Sequence, residues 1–220
     1  VLRWTHWGRD FYAIGSNPEA ARYSGIPVGR RVMLAFALSG SLAGLGGFMY
    51  AARFANVSAA SGSGFEFDVI SAVVIGGVNV FGGVGTVLGA VLGALFIGVI
   101  DDGFTLLKVN PFWKIAFLGI VSAARVGAFA RSLVGRWEFV LVLLILAAGA
   151  WSASLSPFFL DTENLLDLMK PYTMIGLMAL GLTLVVVAGE IDISVASTLA
   201  VCVVVFADVW QHGVNIWLAC

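Results

Sequence analysis

Apolar runs of membrane-crossing length recur along this chain, separated by short polar or glycine-rich interruptions. The run at 32–52 is long enough for a bilayer at 1.5 Å rise per residue. Arg53 closes it, and the turn-rich stretch ANVSAASGSG (55–64) follows as an external loop. Residues 68–81 are apolar but short and run into a cluster of glycines, whereas 86–100 is a firm span. Pro111 opens a short span at 112–124, and 137–155 is a clean one with Trp137 and Trp151 near its ends. Residues 164–170 read as an amphipathic lead-in capped at Thr162, followed by spans at 171–188 and 195–210. Only helices satisfy their own backbone groups span by span in lipid. The pattern therefore predicts an all-α polytopic transmembrane helical bundle of about seven membrane segments.

The stretch 8–31 stands apart as the most polar of the sequence. Inside it a very short helix has both ends written in. Asn17 is a good N-cap, Pro18 fits the first helical position, and Gly25 suits the left-handed position after the last turn. Glu19 and Arg22 complement the helix dipole at either end, with Ala20 and Ala21 between them. Two turns are not stable alone in water. Either the chain's own helix ends hold this element, or a partner protein docks on it.

Composition agrees with a bilayer: 60% of the 220 residues are hydrophobic and 11% charged, with mean hydropathy +0.99. Soluble domains carry about a quarter charged residues. The net charge of −1 decides nothing, but its distribution does. Arg3, Arg9, Arg22, Arg30 and Arg31 make the front loop positive, and Arg125, Arg131 and Arg136 make a second positive loop. Positive loops stay cytoplasmic, and four crossings between the two place both on that side if 68–81 is counted as one. Trp4 and Trp7 suit the headgroup level. No basic patch interleaved with aromatics points to nucleic acid. Cys202 and Cys220 read as buried membrane thiols. His6 has no second ligand at metal-binding spacing, so no metal site and no catalytic residue is expected. Position 1 is Val and the chain stops within an apolar run at Cys220, so we expect both ends to be cut from longer sequences.

Three polar interruptions carry the candidate chemistry. Gly76, Gly77, Asn79, Gly82, Gly83 and Gly85 are either a tight packing corner or a broken helix beside a translocation path that Asn79 faces. Asp101 and Asp102 are read as a solvated helix end, since neighbours on a helix do not face one another. Asp192, with Ser194, either caps a helix that starts at Ile193 or lines a pore. Gly40 and Gly44, with Gly47 close to the same face, and Gly85, Gly89 and Gly93, are spaced for close helix packing.

Here the residues carry a resemblance. GRDFYAIGSNPEAARYSGIPV, then ISAVVIGGVNVFGGVGTVLGAVLGAL, then LLKVNPFWKIAFLGI, over about 8–120, resemble the C-terminal half of a sugar ABC-transporter permease of the ribose, xylose, rhamnose and autoinducer-2 type. RWEFVLVLLILAAGAWSASLSPFFLDTENLLDLM and LGLTLVVVAGEIDISVASTLAVC, over about 135–220, resemble the N-terminal half of the same kind of permease. The family's Gly-Gly-Ile-Asp-Leu-Ser-Val-Gly stands here as Gly189-Glu190-Ile191-Asp192-Ile193-Ser194-Val195-Ala196. The resemblance implies three parts: 1–124 as the end of one permease, 125–136 as a cytoplasmic junction, and 137–220 as the start of a neighbouring one. It implies that Asn17 to Gly25 is a coupling element contacting a separate ATPase subunit, which holds ATP and Mg, so that this chain binds no cofactor and is not an enzyme. It further implies a periplasmic sugar-binding protein, a second permease subunit and the bacterial inner membrane. Ser71, Asn79, Thr183, Asp192 and Ser194 are the candidates along the sugar's path. A nonfunctional fusion fragment and an ion-driven secondary transporter are the alternatives.

Overall fold

The computed structural model describes residues 4–54, 61–129 and 137–213. Among them the chain is helical, in the order α1 (His6–Ser16), α2 (Pro18–Tyr23), α3 (Val28–Phe54), α4 (Phe65–Ile75), α5 (Val87–Leu106), α6 (Pro111–Phe129), α7 (Trp137–Leu155), α8 (Thr162–Val187) and α9 (Val195–Gln211). Seven of these, α3 to α9, are apolar. By length and composition α3, α5, α7 and α8 suffice to cross a membrane, while α9 and the apolar part of α6 are shorter and α4 has only 11 residues.

Local chemistry sets most of the ends. Asn17 is extended and closes α1 while opening α2, its Oδ1 accepting the Ala20 N–H at 3.0 Å. Pro18 takes the first helical position, and Gly25 (φ +83°) lets the Ile26 N–H reach the Ala21 carbonyl at 3.1 Å. α1 has no counterpart among the sequence expectations. Its cap is Thr5, whose hydroxyl accepts the Gly8 N–H at 3.1 Å.

Three boundaries differ from expectation. α6 continues past the span end expected at 124 to Phe129, and 130–136 lies outside the described residues. The lead-in and span expected to part at Pro171 form one helix, α8, with Asp161 rather than Thr162 as its cap residue. Proline frees the carbonyl four residues earlier; here that is Asp167, which is exposed to solvent. Finally, α5 runs through Asp101 and Asp102 to Leu106 instead of stopping before them.

Packing interlaces the earlier and later parts of the chain. α3 lies between α8 and α9, and α5 packs on α4, α7 and α8. Along α3, Ser39 faces Gly181, Gly46 faces Met178 and Gly47 faces Leu199, while the Phe48 and Phe206 rings meet edge-on at 5.1 Å. α8 thus runs antiparallel to α3 and α9 parallel to it. Toward α9 the tight approach falls at Gly47, where a Cβ would stand 2.8 Å from the Leu199 carbonyl oxygen. Among the described residues a Cβ on Gly40 would meet nothing within 4 Å, and one on Gly44 would meet the Cys202 sulfur. Gly89 and Gly93 seat α5 on the backbone of α4 at Gly76 and Ala72. Two polar ties fix α7: the Trp137 Nε1–H donates to the Ile75 carbonyl at 2.7 Å, and the Thr86 hydroxyl donates to Glu138 at 2.7 Å. Outward faces stay apolar, with Leu38, Leu45, Phe139, Leu146 and Trp151 exposed, as suits lipid contact.

Candidate functional site

At one end of the bundle α2 stands proud of the other helices. Only Ala21 of its six residues is buried, and Tyr23 is 90% exposed. α1 supports it from beneath. Asp10 on α1 pairs with Arg31 on α3 at 2.8 Å, and that guanidinium lies 4.4 Å from the centre of the Trp7 ring. The inner end of α1 reaches the glycine run: the Tyr12 hydroxyl donates to the Gly85 carbonyl at 2.7 Å. Gly15 packs directly against the Val187 carbonyl and the Gly83 N–H, leaving no room for a side chain.

Those last two contacts belong to two breaks in the helical path, and the breaks share one geometry. α4 ends with the Gly77 N–H on the Val74 carbonyl (3.0 Å) and the Val78 N–H on the Val73 carbonyl (3.1 Å). α8 ends with the Gly189 N–H on Val186 (2.9 Å) and the Glu190 N–H on Val185 (3.1 Å). Gly77 (φ +88°) and Gly189 (φ +86°) hold the same left-handed position that closes a helix in this way. Beyond each, a side-chain oxygen accepts the N–H two residues on: Asn79 from Phe81 at 3.1 Å and Asp192 from Ser194 at 2.9 Å. The breaks touch, since the Gly83 N–H donates to the Val187 carbonyl at 2.9 Å and a Cβ on Gly82 would stand 2.7 Å from the Gly189 Cα. The glycine run is therefore a true break in the helix and also a close-packed corner. Non-helical backbone at membrane depth needs such protein cover.

The candidate path residues are spread over this region. Ser71 is half-buried on α4, and Asn79 is turned into its own loop, its Nδ2–H donating to the Gly82 carbonyl at 3.1 Å. Thr183 is fully buried and donates to the Ala179 carbonyl at 2.6 Å. Asp192 is 5% exposed and accepts from the Ser194 hydroxyl at 2.6 Å and from the buried Ser39 hydroxyl on α3 at 3.0 Å. Since α9 starts at Val195 with Ser194 in the cap position, the expected helix start at Ile193 is two residues early, and Asp192 holds the turn before it. Ser39 lies well inside α3, so this carboxylate sits within the bundle.

At the opposite end the expected solvated Asp101–Asp102 pair is instead enclosed in a network. Asp101 accepts from the Tyr172 hydroxyl at 2.6 Å and lies 3.1 Å from Lys114, which also reaches Asp68 at 3.4 Å. Asp102 accepts from the Asn164 amide at 2.8 Å. The partners come from α4, α6 and α8, so spacing along the chain could not reveal them. Among the described residues no group of His, Cys, Asp and Glu could hold a metal ion. Cys202 packs beside Gly44 and Gly47; Cys220 lies outside the described residues.

Between the outer end of α4 and α9 lies an open cleft of about 580 Å³, lined by Ser63, Glu66 and Phe67 on one side and Ile193 and Ser197 on the other.

A protein-family model described as branched-chain amino acid transport system, permease component, matches residues 1–126. The autoinducer 2 import system permease protein of Klebsiella pneumoniae is 45% identical over 121 residues, covering 55% of this chain and 35% of the relative. The galactose/methyl galactoside import permease protein of Escherichia coli is 42% identical over 117 residues, 53% of this chain and 35% of the relative. The fructose import permease protein of Rhizobium meliloti is 39% identical over 121 residues, 55% of this chain and 34% of the relative. The chain spans about a third of the length of these curated relatives. No solved structure matches it. With its family model covering more than half the chain and several helices long and apolar enough to cross a membrane, the chain belongs to the branched-chain amino acid transport system permease component family, as a multi-pass protein of the bacterial inner membrane.

Proposed function

We propose that this chain is a membrane-spanning permease part of an ATP-binding-cassette importer for a small sugar or sugar-like molecule. The observation that carries the proposal is mechanical. An exposed, self-capped two-turn helix stands on α1, and α1 ends at Gly15 against both breaks at once. A push on α2 thus reaches Gly83 and Val187 through one short rigid helix. The arginine-rich α1–α2 end faces the cytoplasm by the positive-inside rule, where an ATPase subunit carrying ATP and Mg would engage Asn17 to Gly25. This chain then needs no cofactor of its own. Relatives named as importers of autoinducer 2, galactose and fructose support the substrate class. A periplasmic binding protein and a second permease subunit complete the assembly. Residues 1–124 act as the C-terminal half of a permease and 137–220 as an N-terminal half, with alternating access arising where the two breaks meet.

The test is co-purification with the cognate ATPase, read beside sugar uptake. Glu19→Arg with Ala20→Asp should abolish ATPase association. Gly15→Val should keep association and abolish uptake, because it separates α1 from the breaks. Retained association and normal uptake in the first variant would overturn the coupling role. Uptake that survives ATP depletion would instead point to an ion-driven transporter.

A further inference from the structure

We propose that α6 is a gate helix at the end of the bundle opposite α2, hinged at Lys108 and held shut by Lys114 between Asp68 and Asp101. The motion belongs to the helix itself and calls on neither the sugar nor the ATPase.

The hinge is a strained helix end. α5 closes with the Lys108 N–H on the Thr105 carbonyl (3.0 Å) and the Val109 N–H on the Phe104 carbonyl (2.9 Å). The helix ends at Gly25, Gly77 and Gly189 close by the same pair of bonds, and each has glycine in the left-handed position. α5 puts Lys108 there at φ +53°, the one non-glycine with positive φ among the described residues. An L-residue in this conformation is disfavoured about fivefold to thirtyfold. Such strain persists only where the surrounding structure imposes it. Relaxation of Lys108 would redirect the chain just before Pro111 and carry α6 with it.

The latch is one ammonium group. α6 lies at the edge of the bundle, packed on α4 and α5. Among its described side chains Leu118 is the buried one, while Phe112, Trp113, Ile115 and Ile120 face outward. Every polar link from those side chains to another helix runs through Lys114, which lies 3.4 Å from Asp68 on α4 and 3.1 Å from Asp101 on α5. Asp101 is braced in turn from α8 by the Tyr172 hydroxyl at 2.6 Å. All three charged groups are largely withdrawn from water, where an ion pair is stronger than at an open surface. The shut position carries a second strain. Among the described residues the Ser122 hydroxyl alone is buried without a hydrogen-bond partner, which disfavours the arrangement that buries it. Lys108 and Ser122 thus favour release of α6 and Lys114 opposes it, the balance that makes an element two-state.

The full chain, with Cys202 and Cys220 replaced by serine, is reconstituted in lipid nanodiscs. Pulsed electron double resonance then measures the α6–α8 separation between spin labels at Ala116→Cys and Met169→Cys, both exposed positions. A second pair, Leu45→Cys on α3 with Met169→Cys, reports on the rest of the bundle. Lys114→Met should add a longer α6–α8 distance, raising the ratio of open to shut about tenfold or more, the worth of hydrogen bonds to a charged group. The α3–α8 distance should stay as it was. Lys114→Arg, which keeps the cation, should remain shut. Adding Lys108→Gly to Lys114→Met should lower the open ratio about twofold to tenfold, because glycine holds the left-handed turn without strain. Any one of four results overturns the gate: no longer distance in Lys114→Met, an α3–α8 distance that changes with it, a Lys114→Arg chain that opens as far, or no closing by Lys108→Gly.

Discussion

Gly181 on α8 offers a test of the interlaced packing, because two known effects oppose each other there. Gly181→Ala should gain about 1 kcal/mol of helix propensity. The added Cβ would lie 2.7 Å from the Ser39 Cα and 3.3 Å from a methyl of Leu42. The first neighbour is backbone and cannot swing aside. Restoring an ordinary contact of about 3.4 Å requires α8 and α3 to part by roughly 0.7 Å. A gap of that size forfeits a quarter to a half of the dispersion well at each facing atom pair, and the fully buried Met178, which faces Gly46, lies on this face. The separation also stretches the Ser39–Asp192 hydrogen bond. Overpacking typically costs about 1–3 kcal/mol, so after the propensity gain the net effect should be a loss of up to about 2 kcal/mol. Gly40→Ala on α3 is the control, since nothing lies within 4 Å of its Cβ position; it should stabilise. Equilibrium unfolding of the full chain in mixed micelles, followed by circular dichroism, measures both. If the two substitutions shift stability in the same direction, the close approach of α3 and α8 is refuted.

Other outcomes follow from single contacts. In a double-mutant cycle, Ser39→Ala and Asp192→Ala should show a coupling of about 0.5–1.7 kcal/mol, the range for hydrogen bonds between membrane helices; additivity would exclude the bond. Trp137→Phe should destabilise by about 1 kcal/mol in the same titration by orphaning the Ile75 carbonyl. Asn17→Ala should weaken α2 by about 1 kcal/mol, seen as faster hydrogen exchange at the Ala20 amide with the other helices unaffected. Lys114→Met should lose about 2 kcal/mol, because it removes the cation that two carboxylates share, whereas Lys170→Met, at an exposed pair, should change stability by less than about 0.5 kcal/mol.

What was legible in the sequence was what neighbours in the chain decide. The caps of α2 are all local, and Asn17, Pro18 and Gly25 occupy the positions their chemistry predicts. α7 ends at Leu155, where its apolar run is expected to end, because Ser156 and Pro157 follow it. α1 did carry a signal, Trp7, Phe11 and Ile14 at helical spacing, but it is short and lies outside any apolar run. Continuity through Pro171 depended on Asp167 facing solvent, which no local pattern states. The partners of Asp101, Asp102 and Asp192 lie 71, 62 and 153 residues away, beyond the reach of periodicity. The likeness of the two breaks was also obscured, since one is written with five glycines and the other with one.

The burial of α3 between α8 and α9 also sets a schedule for biogenesis. Ser39 reaches the membrane early, yet its partner Asp192 is made 153 residues later. At roughly 5–20 residues per second, ribosomes need on the order of 8–30 s to supply it. Throughout that interval the small-residue face of α3, with its hydroxyl, has only lipid or the insertion machinery for company. A truncated translation product ending before α8 would present that same face permanently.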